Sequence, residues 1–452
     1  MNIIKKLLSD KDEKNLLVNI LLAFVIKGAS LLVSLFSMPL YIKYFNDDAV
    51  LGIWYTILSL ISWINICDLG LGNGLRNRLT EVLALGDNNK AKSYISSTYI
   101  ALTVIILPVL LVISILLCFV DLNSFFNVSA DIISNKALLI SLLILLFGIA
   151  VHFILKVINN VIYAIQKSSL NNLIALASSI LPLIYIALFN GGNSSENLIS
   201  LSVVHSIAIN LPSLVATLIL FRSRLLKACS PSIRAFERET AKSMLGFGLQ
   251  FFLAQIFFMF LMSTNEIFIT KIFSPDDVVD YSIYYRLFTA IGSLFMLALT
   301  PMWSKITKDL AQKKYRKIKV TNRVLYVISL LAIICELLMV PILQFIFNIW
   351  LGKEAIDVNY ITAIIFAVYG GLYILNVVLT TVANGMGDLK TQIVLYGIGS
   401  ALKIPVVLLL KSIFNSWTVI IVFNAAVLLI FCCYQLLWVE KKVNNLIKTE
   451  EK

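Results

Sequence analysis

The sequence has few charged residues and almost no histidine. Of its 452 residues, 14% are charged and 59% are hydrophobic, and the mean hydropathy is +0.91. No water-soluble domain of this size has such a composition, which predicts a polytopic membrane protein. With only His152 and His205, and six cysteines without a C-x-x-C pair, neither a metal centre nor a disulfide framework is indicated. A G-x-x-x-x-G-K-[ST] loop is also absent, and no cofactor is expected.

Long apolar runs recur along the whole chain. Twelve of them are long enough to cross about 30 Å of hydrocarbon as helices of roughly 20 residues. The first run is too long for a signal peptide and no A-x-A-like site follows it, so we expect it to stay attached as a span. The predicted fold class is an all-α polytopic membrane protein with about 12 transmembrane helices. The spans are expected near residues 16–42, 49–69, 94–119, 137–164, 170–189, 198–221, 246–272, 280–303, 323–349, 359–384, 392–410 and 416–438.

Basic residues are concentrated on one side of these spans. If the amino terminus is cytoplasmic, the loops on that side hold 28 of the 37 lysines and arginines, and the opposite loops hold five. This asymmetry follows the positive-inside rule and predicts that both termini are cytoplasmic. The net charge of +12 is therefore interpreted as a consequence of membrane topology and of attraction between basic loops and anionic membrane lipid. No nucleic-acid partner is expected.

Two stretches half a chain apart indicate an internal repeat. FNDDAVLGIWYTI (45–57) follows the first span and FSPDDVVDYSIYYRL (273–287) follows the seventh, at an offset of 229 residues. We predict two pseudo-symmetric six-helix lobes, 1–221 and 243–452, joined by a basic cytoplasmic linker, 222–242. Six helices per half give both halves the same orientation, and two parallel lobes with a central cleft are typical of an alternating-access transporter.

Four basic side chains fall inside the predicted spans, where an uncompensated charge costs about 2.5 to 3.5 kcal/mol. Lys27 and Lys403 lie near the middle of their spans, too deep for a lysine stem to reach the interface. Each is interpreted as facing a cavity or as half of an interhelical pair. Lys156 either faces the cavity or extends to the cytoplasmic surface, and Arg286 either contacts substrate or anchors the outer interface.

Two acids, Glu336 and Glu266, are well embedded, and Asp68 lies at the cytoplasmic rim. Glu336 and Glu266 are interpreted either as coupling groups for a cation or as counter-ions of the lysines. His152 and His205 are interpreted as interior histidines rather than as proton relays. The positive surplus, together with Ser, Asn and Tyr side chains, favours an anionic, hydroxyl-rich ligand.

A glycine-rich motif ends the second span. The run DLGLGNGLRN (68–77), followed by GDNNKAK (86–92), resembles the O-antigen and polysaccharide flippases (Wzx type) of the MATE-like superfamily of multidrug, oligosaccharidyl-lipid and polysaccharide exporters. The glycines let helices approach closely at the membrane surface. The motif residues are Asp68, Gly70, Gly72, Asn73, Gly74 and Arg76.

The resemblance implies translocation of an undecaprenyl-diphosphate-linked oligosaccharide from the cytoplasmic to the periplasmic leaflet of a bacterial inner membrane. It also implies that cavity cations hold the diphosphate, and Lys27 matches this pattern by helix and depth. Members of the wider superfamily are often driven by H+ or Na+. The expected partners are the anionic lipid-linked oligosaccharide, membrane lipid, and a polymerase and chain-length regulator of the same glycan pathway.

Two other functions stay open at this stage. A cation-coupled drug or metabolite antiporter of the same fold would be expected to have an acid-rich cleft. A membrane polysaccharide polymerase or ligase would carry a large outer loop with arginines or histidines, whereas the predicted outer loops are short and hold five lysines: Lys43, Lys136, Lys271, Lys353 and Lys411. Since no paired carboxylates or nucleophile and base appear on that side, an enzyme is not expected.

Overall fold

The computed structural model describes residues 11–45, 47–66, 70–126, 128–189, 192–274, 277–351 and 356–450. Within these residues every regular element is a helix. The chain divides into two compact units, Met1–Leu249 (unit 1) and Gln250–Lys452 (unit 2). The predicted linker, 222–242, falls within unit 1.

The described residues of unit 1 form nine α-helices and the start of a tenth. Helix α6 packs along α9, α8 packs along both α1 and α9, and α3 packs on α4 and α7. The bounds are α1 (Lys11–Phe45), α2 (Asp48–Ile66), α3 (Leu71–Ala84), α4 (Asn88–Leu117), α5 (Leu122–Phe126), α6 (Asn135–Leu155), α7 (Val157–Ala164), α8 (Ser168–Leu188), α9 (Ser194–Arg222) and α10 (Arg238–Ser263), which continues into unit 2.

Unit 2 is organised around a central helix, α15. This helix packs against α12, α13 and α17, and α16 packs on α17. In the most apolar stretch of α15, 61% of the residues are buried, whereas in that of α4 in unit 1 only 6% are. Helix α15 is therefore a core helix, and α4 presents apolar side chains suited to lipid. The remaining bounds are α11 (Asn265–Ile272), α12 (Asp277–Ala311), α13 (Tyr315–Met339), α14 (Leu343–Leu351), α15 (Tyr360–Gly385), α16 (Lys390–Phe414) and α17 (Val419–Glu450).

The helices have the number and length that the hydropathy predicts. In the described ranges, ten helices are long and apolar enough to cross a membrane, and two shorter apolar stretches, Val18–Ser30 and Ala49–Leu58, lie within α1 and α2. Both shorter ones and four of the ten belong to unit 1, and the other six lie wholly or mainly in unit 2. The predicted all-α fold with about 12 spans is therefore confirmed.

Polar residues at the helix starts fix where several spans begin. The side chains of Asp87, Ser134 and Asn359 accept backbone N–H groups of the first turn that follows. Asn193 and Glu196 form a reciprocal capping box at the start of α9. These caps satisfy backbone donors that have no partner inside the helix.

The segment predicted as a linker is held against the amino-terminal part of α4. The Ser97 hydroxyl accepts a hydrogen bond from the Glu237 backbone N–H at 3.1 Å, and the Ser96 hydroxyl accepts one from the Ser232 N–H at 3.0 Å. A hydrogen bond from Thr240 lowers the pKa of Glu237. In unit 1 this segment is therefore docked along its length rather than free.

Candidate functional site

Lys27 lies on the face of α1 that runs along α8. Two turns before it, the side-chain oxygen of Asn19 accepts a hydrogen bond from the Ser169 hydroxyl at 2.7 Å. One turn before it, the Ala23 backbone carbonyl accepts one from the Asn172 side chain at 3.3 Å. Lys27 itself is exposed, and it forms no hydrogen bond or ion pair with any described residue. Unit 1 thus presents an accessible ammonium on an otherwise apolar stretch, next to the hydrogen bonds between α1 and α8.

Lys156 occupies the one-residue interruption between α6 and α7. It is half-buried, and its ammonium lies 5.7 Å from the centre of the Phe153 ring. The two histidines lie on α6 and α9, and the His205 ring meets Trp54 edge-on at 5.6 Å. Unit 1 therefore contains both histidines and two of the four predicted cavity cations.

The glycine motif joins three helices of unit 1. Gly70 adopts a left-handed conformation with φ of 64° and precedes α3. A Cβ on Gly72 would lie 2.2 Å from the amide nitrogen of Asn160 on α7, and one on Gly74 would lie 3.3 Å from the backbone nitrogen of Gly248 on α10. Helices α7 and α10 therefore lie close to α3 at these two positions, as small residues permit. Asp68 lies outside the described residues, and Asn73 is half-buried.

Arg76, the last residue of the motif set, is buried at 3% exposure. Its guanidinium carbon lies 4.7 Å from the centre of the Tyr163 ring, a cation-π contact with α7. One turn on, the Thr80 hydroxyl donates to the Arg76 carbonyl at 2.7 Å. The motif residues are thus arranged to pack helices, and no ligand position is defined by them.

Lys403 of unit 2 is fully enclosed, at 0% exposure. Its ammonium donates to the Leu261 carbonyl at 2.6 Å, to the Asn265 side-chain oxygen at 2.8 Å and to the Thr264 hydroxyl at 3.0 Å. The Phe268 ring lies 5.0 Å away. All three ammonium hydrogens therefore have neutral acceptors, and no described carboxylate forms an ion pair with this lysine. Its predicted contact with substrate stays a prediction.

Asn265 ties the surroundings of Lys403 together. Its side-chain oxygen also accepts a hydrogen bond from Asn424 on α17 at 2.9 Å, and its amide nitrogen donates to the Tyr281 hydroxyl on α12 at 3.1 Å. Four helices, α11, α12, α16 and α17, thus meet at one buried asparagine. Asn265 was not among the predicted site residues, although the polar run STNE (263–266) within an apolar span signals it.

Glu336 on α13 is also fully enclosed, at 0% exposure. Neither of its carboxyl oxygens has a hydrogen-bond partner among the described residues. The carboxyl lies against Gly370 of α15, where an added Cβ would be 2.5 Å from one carboxyl oxygen and 2.6 Å from the Phe288 carbonyl. The groove that receives Glu336 exists because position 370 has no side chain.

Arg286 and Glu266 lie on the neighbouring helices α12 and α11, and both side chains are exposed. The predicted charges therefore separate into two groups. Lys27, Arg286 and Glu266 are exposed and Lys156 is half-buried, whereas Lys403 and Glu336 are sealed in different parts of unit 2. No described acid forms an ion pair with Lys27, Arg286 or Lys403, and the counter-ion interpretation of Glu336 and Glu266 stays untested.

Unit 2 contains a buried ion pair that the sequence analysis did not single out. The Lys305 ammonium lies 3.1 Å from Asp309 and donates to the Thr321 hydroxyl of α13 at 3.2 Å. The 229-residue repeat offset places Lys305 at the position of Arg76. This alignment is the signal that identifies a buried cation at the same place in both halves.

No protein-family model matches the sequence, and no curated protein matches it. Its fold is nevertheless that of solved transporters. The chain is similar to an outward-facing multidrug resistance MATE family transporter of the MOP superfamily, with a TM-score of 0.70 and 13% identity over 95% of this chain and 96% of that one. It is similar to a Vibrio cholerae MATE transporter in the bent form, with a TM-score of 0.67 and 14% identity over 96% and 99%.

A third similar structure is a MOP superfamily transporter from Pyrococcus furiosus, for which reverse polarity of the binding pocket suggests a different function. Its TM-score is 0.69 at 14% identity, over 98% of both chains. Together these structures show that the chain has the MATE fold, as the glycine motif predicted. The assignment to the O-antigen flippases among proteins of this fold stays a prediction.

Proposed function

We propose that this protein is a transporter that moves an undecaprenyl-diphosphate-linked oligosaccharide from the cytoplasmic to the periplasmic leaflet of a bacterial inner membrane. Two features support a transporter: the MATE fold over nearly the whole chain and the internal repeat. The motif around Gly70 to Arg76 supports the flippase branch, because it resembles the Wzx-type proteins over this segment.

The accessible charge inside the spans is the observation that carries the choice of substrate. Lys27 and Arg286 are exposed and Lys156 is half-buried, whereas of the two embedded acids, Glu336 and Glu266, only Glu266 is exposed. The surplus stays positive after the enclosed Lys403 and Glu336 are set aside. A surplus of accessible cations at membrane depth suits an anionic head group, since pairing compensates the cost of holding these charges away from water.

In the proposed cycle, Lys27 of unit 1 contacts the diphosphate, and in unit 2 Arg286 is the candidate contact for an anionic group. A guanidinium binds phosphate oxygens in a planar, two-point geometry, whereas a lysine ammonium acts as a compact charge. The amides of Asn19 and Asn172 supply hydrogen bonds for sugar hydroxyls beside Lys27. Alternating access then carries the head group across while the polyprenyl tail remains in lipid. H+ or Na+ coupling, and association with the polymerase and chain-length regulator of the same pathway, are further parts of the proposal.

A second candidate is a cation-coupled antiporter for drugs or metabolites. The MATE family structure described above as a multidrug resistance transporter favours it. So does Glu336, because a carboxyl without a hydrogen-bond partner inside a membrane protein is a common feature of coupling sites. The two candidates differ in what the exposed cations are for, and this difference can be tested.

The test is restoration of surface glycan in a bacterium that lacks its own flippase and is supplied with a cognate glycan pathway. Wild-type protein should restore the glycan, and Lys27→Ala should reduce it about tenfold or more, as expected for a lost charge-assisted hydrogen bond of about 1.5 to 3 kcal/mol. Lys27→Arg should retain most of the activity. Lys43→Ala is the matched control, because Lys43 is an exposed lysine at the end of the same helix.

Three other results have distinct meanings. If Lys27→Ala exports glycan as well as wild type at matched membrane levels, the flippase function stands and the role of Lys27 is wrong. If the wild-type chain restores no cognate glycan but lowers drug accumulation, the antiporter is the better function. Loss of export in Lys43→Ala as well would show that any change of charge on α1 disturbs the protein.

A further inference from the structure

The seventh predicted span is broken in the structure, and a lysine from α16 lies at the end of each piece. Helix α10 ends at Ser263 and α11 begins at Asn265. The Lys403 ammonium donates to the Leu261 carbonyl at the end of α10, and the Lys411 ammonium donates to the Ile272 carbonyl at the end of α11. The last carbonyls of a helix lack intrahelical donors and carry the negative end of the helix dipole, so they attract cations.

The oxygens around Lys403 have the composition of a monovalent-cation site. They comprise two backbone carbonyls, one hydroxyl and one amide oxygen, with the Phe260 carbonyl as the most distant at 3.5 Å. All are neutral, and the ammonium they surround is completely enclosed. Membrane proteins hold desolvated alkali ions with the same groups, unwound backbone carbonyls and helix C-terminal ends.

We propose that the Lys403 ammonium is a tethered cation that permanently occupies a monovalent-cation site at the α10/α11 break. The lysine supplies the positive charge that these oxygens require, and its stem closes the site to solution. The break in unit 2 is therefore stabilised without a dissolved ion, and a coupling cation, where one is used, binds elsewhere. This inference does not depend on the identity of the transported molecule.

The proposal predicts that the site becomes selective for small cations once the lysine is shortened. Lys403→Ala removes the stem and the charge but leaves the oxygens in place. The purified full-length variant should melt about 5 to 15 °C below wild type in choline chloride, because it loses a buried side chain and leaves its acceptors without a donor. At equal ionic strength, sodium or ethylammonium chloride should restore at least half of that loss, whereas wild type should melt at the same temperature in all three salts.

Lys411→Ala is the matched control. Lys411 lies on the same helix and binds a helix C-terminus in the same way, but it is only half-buried. Water can therefore satisfy the Ile272 carbonyl when the lysine is removed. Its melting temperature should fall less and should not depend on which cation is present.

Two outcomes would overturn the proposal. A lower melting temperature of Lys403→Ala that no small cation restores would show that the lysine is an ordinary packing residue. A variant that is as stable as wild type in choline but exports no glycan would show that the ammonium serves the substrate. If Lys403→Ala does not accumulate, the double variant Asn265→Asp/Lys403→Met provides a carboxylate for the ion. The proposal then requires that this double variant melts at a higher temperature in sodium chloride than in choline chloride. Equal melting temperatures in the two salts would also overturn the inference.

Discussion

The Glu336 side chain is enclosed in unit 2, and no described residue of that unit forms a hydrogen bond with its carboxyl group. The titratable and polar neighbours belong to α15 and α12. Tyr369 precedes Gly370 and directs its hydroxyl to the Met262 sulfur at 3.2 Å, and Tyr373 packs against Gly292 of α12. Arg286, half a turn before Phe288 on α12, is exposed. Neither carboxyl oxygen of Glu336 therefore receives a hydrogen bond from the described residues.

Removing the ionisable group from this position should leave unit 2 as stable as before. Glu336→Gln retains the shape of the side chain and removes the charge that would lack hydrogen-bonding compensation when ionised. We expect its melting temperature to equal or exceed that of wild type by about 0 to 4 °C, equivalent to about 0 to 1 kcal/mol for a unit of this size. Glu336→Ala, which leaves a cavity against Gly370, should be less stable than wild type by about 2 kcal/mol or more.

The measurement is thermal unfolding of both variants in the same detergent, followed by the export assay. If Glu336→Gln is strongly destabilised, a hydrogen bond or ion accompanies this carboxyl in the membrane. If Glu336→Gln folds normally but abolishes transport, Glu336 is a coupling group. Full export by the glutamine variant would remove the main structural argument for the antiporter.

At the scale of helices, the glycines of α3 and α10 explain why the motif at 70–76 is rich in glycine. An added Cβ on Gly248 would lie 2.9 Å from the Cα of Leu71 and 3.0 Å from its backbone nitrogen. Backbone atoms cannot rotate away as the end of a side chain can, so the two helices would have to separate. Gly246, two residues earlier on the same helix, has nothing within 4 Å of an added Cβ.

Gly248→Ala should therefore lower stability by about 1 to 3 kcal/mol as an overpacking substitution. Gly246→Ala should be neutral or stabilise by up to about 1 kcal/mol, because alanine has the higher helix propensity. Thermal unfolding of the two purified variants gives the comparison. Equal effects of the two substitutions would show that α10 does not approach α3 as closely as the structure has it.

Much of the helical architecture could be predicted from hydropathy, but the breaks within spans could not. The span predicted at 246–272 is divided at Thr264, and the one predicted at 137–164 is interrupted at Lys156. Neither position has a proline or glycine, the residues that usually signal an interruption. Lys403, which donates to the Thr264 hydroxyl at the first of these breaks, lies 139 residues away in the sequence, so a local pattern carries no information about this contact.

The charged residues of the candidate site could be predicted from the sequence, but their positions relative to neighbouring helices could not. Hydropathy identifies Lys27, Lys156, Arg286 and Lys403 equally, because each interrupts an apolar run. Only the packing of neighbouring helices distinguishes an exposed ammonium such as that of Lys27 from an enclosed one such as that of Lys403. For the motif glycines, in contrast, the sequence predicted the packing itself, because their spacing indicated close contacts between helices.

For the whole molecule, the two units contain separate buried cations at repeat-related positions, Arg76 in unit 1 and Lys305 in unit 2. Lys305 and Asp309 have side-chain exposures of only 10% and 9%. Removing the carboxylate from a buried pair costs about 3 to 5 kcal/mol, because the remaining charge keeps its desolvation cost. Asp309→Asn should therefore destabilise unit 2 by about this amount.

Because Lys305, Asp309 and Thr321 all belong to unit 2, the effect of Asp309→Asn should be confined to residues 250–452. Hydrogen exchange of the purified protein, followed peptide by peptide, should become faster there and stay unchanged over 11–249. Asp388→Asn is the matched control, since the Asp388–Lys442 pair at 3.6 Å is partly exposed and such pairs contribute only about 0 to 1 kcal/mol. Faster exchange throughout the chain would contradict the prediction, because it would show that the two repeat halves unfold as one cooperative block.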